Sequence, residues 1–194
     1  MTPRPAVFAA PAVGGAVALI AATGKGLYVS PDGVFYVGTA RNLLDGHGFT
    51  PPPGLPPLQH FPPLFTLLLA AIGKFGIDPL TAARVVNVLA YAGLVVLVGL
   101  VVRARTGSVA AGMVASALTA CAVDLLTYSA SALTEPLFVL LAVAALVALA
   151  AHLDRPSPAL LFVAAALVAA ACLTRCDRMA LVVASVIGLL WRRR

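Results

Sequence analysis

Three polar clusters interrupt an otherwise apolar chain, and they carry the residue types that proton transfer and phosphate binding need. The first is Asp32 in "SPDGVF", the second is Glu135 in "SALTEPLF", and the third is "LTRCDRM", which contains Arg175, Asp177 and Arg178. A carboxylate can act as a general base, and an arginine can bind a phosphate through two parallel charge-assisted hydrogen bonds. If the fold brings these residues to one membrane surface, they predict chemistry on a phosphate-linked lipid substrate.

Each of these residues also has an interpretation that involves no chemistry. Asp32 and Glu135 both fit the first turn of a helix, where an acidic side chain faces the positive end of the helix dipole. Arg175 and Arg178 can extend to the membrane surface or pair with Asp177. The sequence leaves both interpretations open for every member of the set.

Two further polar positions belong to the candidate set. His60 precedes the proline pair in "HFPPLF", where a histidine is more typical of a loop than of a ligand. Arg84, Asn87 and Tyr91 are spaced as one face of a helix. That face fits either a polar seam between helices or a strip that contacts substrate, and we favour the seam.

The composition assigns the chain to the membrane proteins. Hydrophobic residues make up 61% of the 194 positions and charged residues only 10%, against about 25% charged residues in soluble domains. The mean hydropathy is +1.02. Arginines at the ends of apolar runs explain much of the net charge of +6, so we expect no nucleic-acid partner. The odd number of cysteines argues against a disulfide framework.

Apolar runs set the expected number of membrane spans, since about 20 residues are needed to cross a hydrocarbon core of about 30 Å. About six runs approach that length: Ala6–Thr23, Leu80–Val102, Val109–Tyr128, Pro136–Ala151, Ala159–Leu173 and the short run Met179–Trp191. The run Leu64–Ile72 is about half as long and is not expected to cross. The predicted fold is an all-α integral membrane protein with about six transmembrane helices.

The arginines support this count independently. The positive-inside rule places Arg4, Arg103, Arg155 and Arg192 in the cytoplasm, and all four fit only if Leu64–Ile72 does not cross. Residues 24–78 then form a long outer loop, in which we expect two helices that lie on the membrane surface. The same topology places the candidate residues on the outer face.

The first surface helix is predicted from its ends. Ser30 is a good N-cap, Pro31 suits the first helical position, and Asp32 lies in the first turn. Gly46 is expected to end the helix. The next segment, "FTPPPGLPPLQHFPP", is too rich in proline for a helix and is expected to be extended. Asp78 is expected to cap the long span that follows.

The order of these segments resembles a known family. The stretches "SPDGVFYVGTARNLLDGHGF", "HFPPLFTLLLAAIGKFG", "ARVVNVLAYAGLVVLVGLVVRARTG", "SALTEPLF" and "LTRCDRMALVV" are similar to successive landmarks of the N-terminal module of GT-C glycosyltransferases. Within that superfamily, the chain is similar to the branch that contains dolichyl-phosphate-mannose protein mannosyltransferases and bacterial lipid A sugar transferases. The resemblance covers nearly the whole chain and depends on order and spacing more than on any single motif.

The resemblance implies an integral-membrane enzyme of a prokaryotic plasma membrane. Such an enzyme transfers a sugar, with inversion, from a polyprenyl phosphate to a hydroxyl of a lipid, glycan or protein on the outer face. It implies that Asp32 is the base or orients the acceptor, that Glu135 is the second outer acid, and that Arg175 holds the donor phosphate. The other candidates for substrate binding are His60, Asp177 and Arg84.

The chain departs from the family pattern in two ways. Many relatives have two adjacent acids at the first site, whereas here Gly33 follows Asp32, so a divalent metal ion is left open. Such enzymes also continue with further spans, whereas this chain ends at "WRRR". We therefore expect residues 1–194 to form one membrane domain that is the N-terminal part of a longer module.

Two hypotheses from other functional classes compete with the transferase. One is a non-catalytic membrane scaffold that keeps the module without its reaction. The other is a transporter. Transporters place ionisable residues near the middle of the bilayer, whereas here these residues are expected at the outer edge, which favours surface chemistry.

Overall fold

The computed structural model of the chain describes residues 5–55 and 61–175, together with Val183 and Ser185. Within residues 5–175 of this part, a 3₁₀ turn (Pro5–Phe8) is followed by eight α-helices. They are α1 (Ala9–Ala22), α2 (Pro31–Leu44), α3 (Pro63–Gly73), α4 (Pro79–Thr106), α5 (Val109–Ala120), α6 (Val123–Ser129), α7 (Glu135–Asp154) and α8 (Pro158–Cys172). This part of the chain is therefore all-helical, as predicted.

Two helices of the described part are long and apolar enough to cross a membrane, namely α4 and α7. Helices α5 and α6 reach the necessary length only together, and they are bent by 54° at their junction. Helices α1, α3 and α8 are apolar but shorter. The described residues thus contain two or three candidate spans, and the predicted six are not confirmed. The predicted last run, Met179–Trp191, lies outside the described residues except for positions 183 and 185.

The junction between α5 and α6 differs from the predicted continuous span over Val109–Tyr128. The helix is interrupted at Cys121 and Ala122. The Tyr91 hydroxyl donates a hydrogen bond to the Ala120 carbonyl oxygen at 2.7 Å, and this carbonyl would otherwise accept from the backbone four residues later. A side chain from α4 therefore replaces a helical hydrogen bond where the helix bends.

The predicted start of α2 is confirmed. The Ser30 Oγ accepts a hydrogen bond from the Gly33 backbone N–H at 3.2 Å, and Pro31 is the first helical residue. Beyond the end of the helix, Gly46 has a φ of +81°, a conformation that favours glycine. The chain folds into α2 and α3 inside the predicted outer loop, and their position on the membrane surface stays a prediction.

The predicted cap of α4 is also present. Asp78 Oδ2 accepts from the Leu80 backbone N–H at 2.9 Å, and Arg41 Nη2 donates to Asp78 Oδ1 at 2.8 Å. Burial acts to raise the pKa of Asp78, but the hydrogen bonds from Arg41 and Leu80 outweigh it, so the pKa is lower than usual. One carboxylate therefore caps α4 and ties it to α2.

Contacts between the helices define two ends of the bundle. The α2 end comprises α2, α3, the N-terminal ends of α4 and α7, and the C-terminal ends of α1, α6 and α8. At the opposite end, which we call the Arg105 end, Arg105 Nη1 lies 3.5 Å from Asp154 Oδ2. The candidates Asp32, Glu135 and Arg175 are all at the α2 end. The side of the membrane that each end faces stays a prediction.

Candidate active site

A short backbone pairing joins the start of α2 to the start of α7. The Tyr28 N–H donates to the Ala130 carbonyl oxygen at 3.0 Å, and the Ala132 N–H donates to the Tyr28 carbonyl oxygen at 2.9 Å. From α4, the buried Asn87 amide donates to the carbonyl oxygens of Ser131 (2.7 Å) and Leu133 (3.1 Å). The turn that precedes Glu135 is thus fixed to both α2 and α4.

Gly33 permits the close approach of α2 to this turn. A Cβ added at position 33 would lie 2.9 Å from the Ala132 carbonyl oxygen and 3.2 Å from its Cβ. Because the nearest atom belongs to the backbone, a side chain at position 33 would push α2 away from the turn. The packing of α2 against this turn therefore explains the glycine after Asp32. A second acid at position 33 would fit only if α2 moved away from the turn.

Glu135 and Arg175 form a direct ion pair, in which Arg175 Nη1 donates to Glu135 Oε1. The pair is largely enclosed, since the Glu135 side chain is 20% exposed and that of Arg175 is 25% exposed. The second carboxylate oxygen, Oε2, is buried and has no hydrogen-bond partner among the described residues. Such an oxygen can accept a hydrogen bond from a bound molecule.

Hydrogen bonds anchor the backbone that leads into Arg175. The Leu64 N–H, at the start of α3, donates to the Leu173 carbonyl oxygen at 3.0 Å. The next residue, Thr174, is fully buried, and its hydroxyl donates to the Ala171 carbonyl oxygen at 2.6 Å. The guanidinium therefore projects from a fixed position between α3 and α7.

Tyr36 is a buried residue of α2 that interacts with these charged groups. Its side chain is 6% exposed, and its ring makes edge contacts with Phe61 and Phe65, with centroids 5.3 Å and 5.5 Å away. Burial raises the pKa of Tyr36 to about 12, against the lowering effect of a hydrogen bond with the Thr134 side chain. The phenol is therefore protonated at neutral pH and carries a hydroxyl proton.

Charge interactions with Tyr36 connect the two predicted acids to this centre. Asp32 and Glu135 both act to raise the pKa of Tyr36, and Arg175 acts to lower it. Asp32 is exposed and lies one helical turn before Tyr36, on the same side of α2. The structure thus gathers the α2-end cluster, which consists of Asp32, Tyr36, Thr134, Glu135 and Arg175.

The family of the chain follows from its sequence match. Residues 60–194, more than half of the chain, match the family described as dolichyl-phosphate-mannose-protein mannosyltransferase. The chain belongs to this mannosyltransferase family. It is therefore a GT-C-type glycosyltransferase that uses a polyprenyl-phosphate sugar, and an integral membrane protein. Comparison with curated proteins and with solved structures gives no match.

The family match covers two of the three cluster residues that were predicted from the sequence. Glu135 and Arg175 fall inside the matched residues, whereas Asp32 precedes them. The catalytic role of Asp32 therefore depends on its position in the structure and on the resemblance in the first outer loop. All three roles stay predictions.

The other predicted substrate-binding residues of this mannosyltransferase-family chain are not in the cluster as described. His60 and Asp177 lie outside the described residues. Arg84 donates from Nε to the Thr23 hydroxyl at 2.8 Å and from Nη2 to the Ile20 carbonyl oxygen, at the end of α1. These contacts fit the seam between helices that we favour, and a substrate-binding role for Arg84 stays a prediction.

Tyr36 was not among the functional residues predicted from the sequence. An aromatic residue at helical spacing is more often a core residue than part of a site. One signal was available, since Tyr36 lies four residues after Asp32 and thus on the same helix face. Its second neighbour, Thr134, comes from a turn about 100 residues later, and no local pattern connects the two.

The described residues do not fit a divalent metal ion. Among them, no three His, Cys, Asp or Glu side chains lie together. Asp32 is exposed, and Glu135 is held by Arg175, whose positive charge opposes a nearby cation. Position 33, directly after Asp32, has no room for a second acid unless the backbone moves. We therefore assign no step of the reaction to a metal.

Proposed function

We propose that the chain transfers a sugar from a polyprenyl-phosphate donor to an acceptor hydroxyl at the α2 end, on the outer face of a prokaryotic plasma membrane. Family membership supports the reaction class. The observation that carries the proposal is the α2-end cluster, in which an exposed carboxylate, a protonated phenol and a carboxylate–guanidinium pair lie together. Together these groups can hold a phosphate and accept a proton.

Asp32 acts as the general base in this proposal. It accepts the proton of the acceptor hydroxyl while the hydroxyl oxygen forms a bond to the anomeric carbon of the donor sugar. The bond between that carbon and the phosphate oxygen breaks, and its electron pair leaves with the phosphate. Attack from the side opposite the leaving phosphate inverts the configuration. The exposure of Asp32 suits an acceptor that arrives from the aqueous side.

Arg175 stabilises the negative charge that develops on the departing phosphate. A guanidinium has five N–H donors in a fixed plane, so it can hold Glu135 and a phosphate oxygen at the same time. Glu135 fixes the orientation of Arg175 through Oε1. Its enclosed Oε2 accepts a hydrogen bond from a sugar hydroxyl, and Tyr36 donates one from its phenol.

The activity test compares two aspartates of the α2 segment. We expect Asp32→Asn to reduce sugar transfer by about 10²- to 10⁴-fold, because removal of a general base has this effect. Asp45→Asn is the matched control, since Asp45 is exposed at the other end of α2 and is not in the cluster. Transfer from a radiolabelled polyprenyl-phosphate sugar is measured in proteoliposomes at equal insertion. Near-normal turnover of Asp32→Asn would favour the scaffold hypothesis.

The membrane orientation is tested separately by cysteine labelling of intact cells. Cys121, Cys172 and Cys176 are first replaced by serine, and single cysteines are then introduced at positions 45 and 105. An impermeant maleimide should label position 45 in intact cells and position 105 only after permeabilisation. Labelling of position 105 in intact cells would contradict the proposed outer location of the α2 end.

A further inference from the structure

An apolar groove runs between α4 and α7 at the Arg105 end, far from the α2-end cluster. It encloses about 560 Å³. Val101 and Ala104 of α4 form one wall, and the other wall is a stripe of α7 that includes Val143, Leu146 and Ala150. Leu146 is 44% exposed, so the groove is open to the surroundings of the bundle.

The groove lies on the side of α7 that α8 does not cover. Ala148 and Leu149 are buried against Ala164 of α8, whereas Leu146 and Ala150 point to the other side of the helix at the usual helical spacing. Within the described residues, α8 therefore packs on one face of α7 and does not cover the face that lines the groove. An apolar surface in this position contacts lipid chains.

The mouth of the groove is charged. Arg105 lines it together with Asp154, and the two side chains are 60% and 64% exposed. Arg103 and Arg155 lie at the same end of the bundle and do not line the groove, but they add positive charge to the surface around it. Exposed ion pairs are weak, and the guanidinium of Arg105 has further donors for an anion. The positive charge around the mouth attracts a negative group, and Arg105 is the arginine that lines the groove and can bind it directly.

The length of the groove matches one leaflet. Val143 and Asp154 are eleven residues apart on α7, which corresponds to about 16 Å at about 1.5 Å per residue. Half of a hydrocarbon core of about 30 Å is about 15 Å. An acyl chain that begins at the Arg105 end would therefore lie along the groove for the depth of its own leaflet.

We propose that this groove binds an anionic phospholipid of the leaflet at the Arg105 end. One acyl chain lies between α4 and α7, and the phosphate accepts hydrogen bonds from the Arg105 guanidinium. Asp154 orients Arg105 and also repels the phosphate, which limits the affinity. The proposal does not depend on the sugar-transfer reaction, because no group of the α2-end cluster takes part.

The test measures lipid binding to the detergent-solubilised full chain by native mass spectrometry. The probes are phosphatidylglycerol and phosphatidylcholine with identical acyl chains. We expect tighter binding of phosphatidylglycerol, and Arg105→Gln should reduce its affinity about fivefold, which corresponds to about 1 kcal/mol for one arginine near a membrane surface. Asp154→Asn should raise that affinity. Ala150→Trp, which fills the groove, should weaken the binding of both lipids.

Arg103→Gln is the matched control. Arg103 lies two residues from Arg105 on the same helix, but it packs toward Gly112 of α5 and does not line the groove. An equal loss of affinity in Arg103→Gln and Arg105→Gln would mean a general charge effect and would overturn the proposal. Equal binding of the two lipids by the unaltered chain would also overturn it, as would unchanged binding in Ala150→Trp.

Discussion

The two ends of the bundle each contain an ion pair between α7 and another segment, but the pairs differ in their environment. Glu135 and Arg175 at the α2 end are 20% and 25% exposed, whereas Arg105 and Asp154 at the other end are 60% and 64% exposed. Removing charges from water is costly unless their partners compensate, and exposed pairs contribute little. The enclosed pair therefore suits a site that holds its substrate away from water, and the exposed pair suits weaker contacts with the membrane surface.

The hydrogen bonds between segments also differ at the two ends, since those at the α2 end join more distant parts of the chain. At the α2 end, Tyr28, Leu64 and Asn87 make hydrogen bonds to segments that are distant in sequence. At the Arg105 end, the connections described here are local. The α4–α5 turn contains Gly107, which has a φ of +70°. In the α7–α8 turn, His152 Nδ1 lies 2.9 Å from the Ser157 carbonyl oxygen. Long-range bonds fix the positions of side chains from several helices, which a catalytic centre needs.

The largest effect that separates the two ends is expected on donor binding. Arg175→Ala should raise the KM for the polyprenyl-phosphate sugar by about 10- to 100-fold, since a hydrogen bond to a charged group contributes about 1.5–3 kcal/mol. Arg103→Gln removes an arginine at the Arg105 end and should leave this KM within about twofold. Steady-state transfer kinetics at varied donor concentration measure both. Equal KM values for the two variants would remove the donor-binding role of Arg175.

A smaller contrast is expected in stability. Glu135→Gln leaves Arg175 enclosed without its counter-charge and should lower the free energy of unfolding by about 1–3 kcal/mol. Asp154→Asn breaks the exposed pair and should change it by less than about 1 kcal/mol. Thermal unfolding of both variants in the same detergent provides the comparison. A larger loss in Asp154→Asn would contradict the distinction between the pairs.

The smallest of these effects concerns Tyr36. Tyr36→Phe keeps the ring contacts and removes the hydroxyl, so transfer should fall by about 2- to 10-fold, as for the loss of one neutral hydrogen bond of about 0.5–1.5 kcal/mol. Because the pKa of Tyr36 is about 12, the phenol does not titrate between pH 6 and pH 9. The pH–rate profiles of the variant and the unaltered chain should therefore have the same shape. If a limb of the wild-type pH–rate profile were absent in Tyr36→Phe, the phenol would ionise in this range and the prediction would be wrong.

Local sequence signals predicted the helix starts well. Ser30 and Asp78 cap α2 and α4 as expected, because a capping side chain and its target N–H lie within three residues of each other. The break at Cys121 was not predicted, since it involves the Tyr91 hydroxyl from another helix. The pairing of Glu135 with Arg175 was also not predicted. Both features depend on how helices pack, which apolar periodicity does not encode.

Photo-crosslinking tests most directly the central claim that the α2 end is the donor-binding end. A polyprenyl-phosphate sugar with a photoreactive group near the phosphate is bound to the chain in proteoliposomes, and the labelled peptides are identified by mass spectrometry. We expect labelling in α2 and at the start of α7, and a strong reduction in Arg175→Ala. Labelling confined to the groove lined by Val101 and Ala150, unchanged in Arg175→Ala, would contradict the claim.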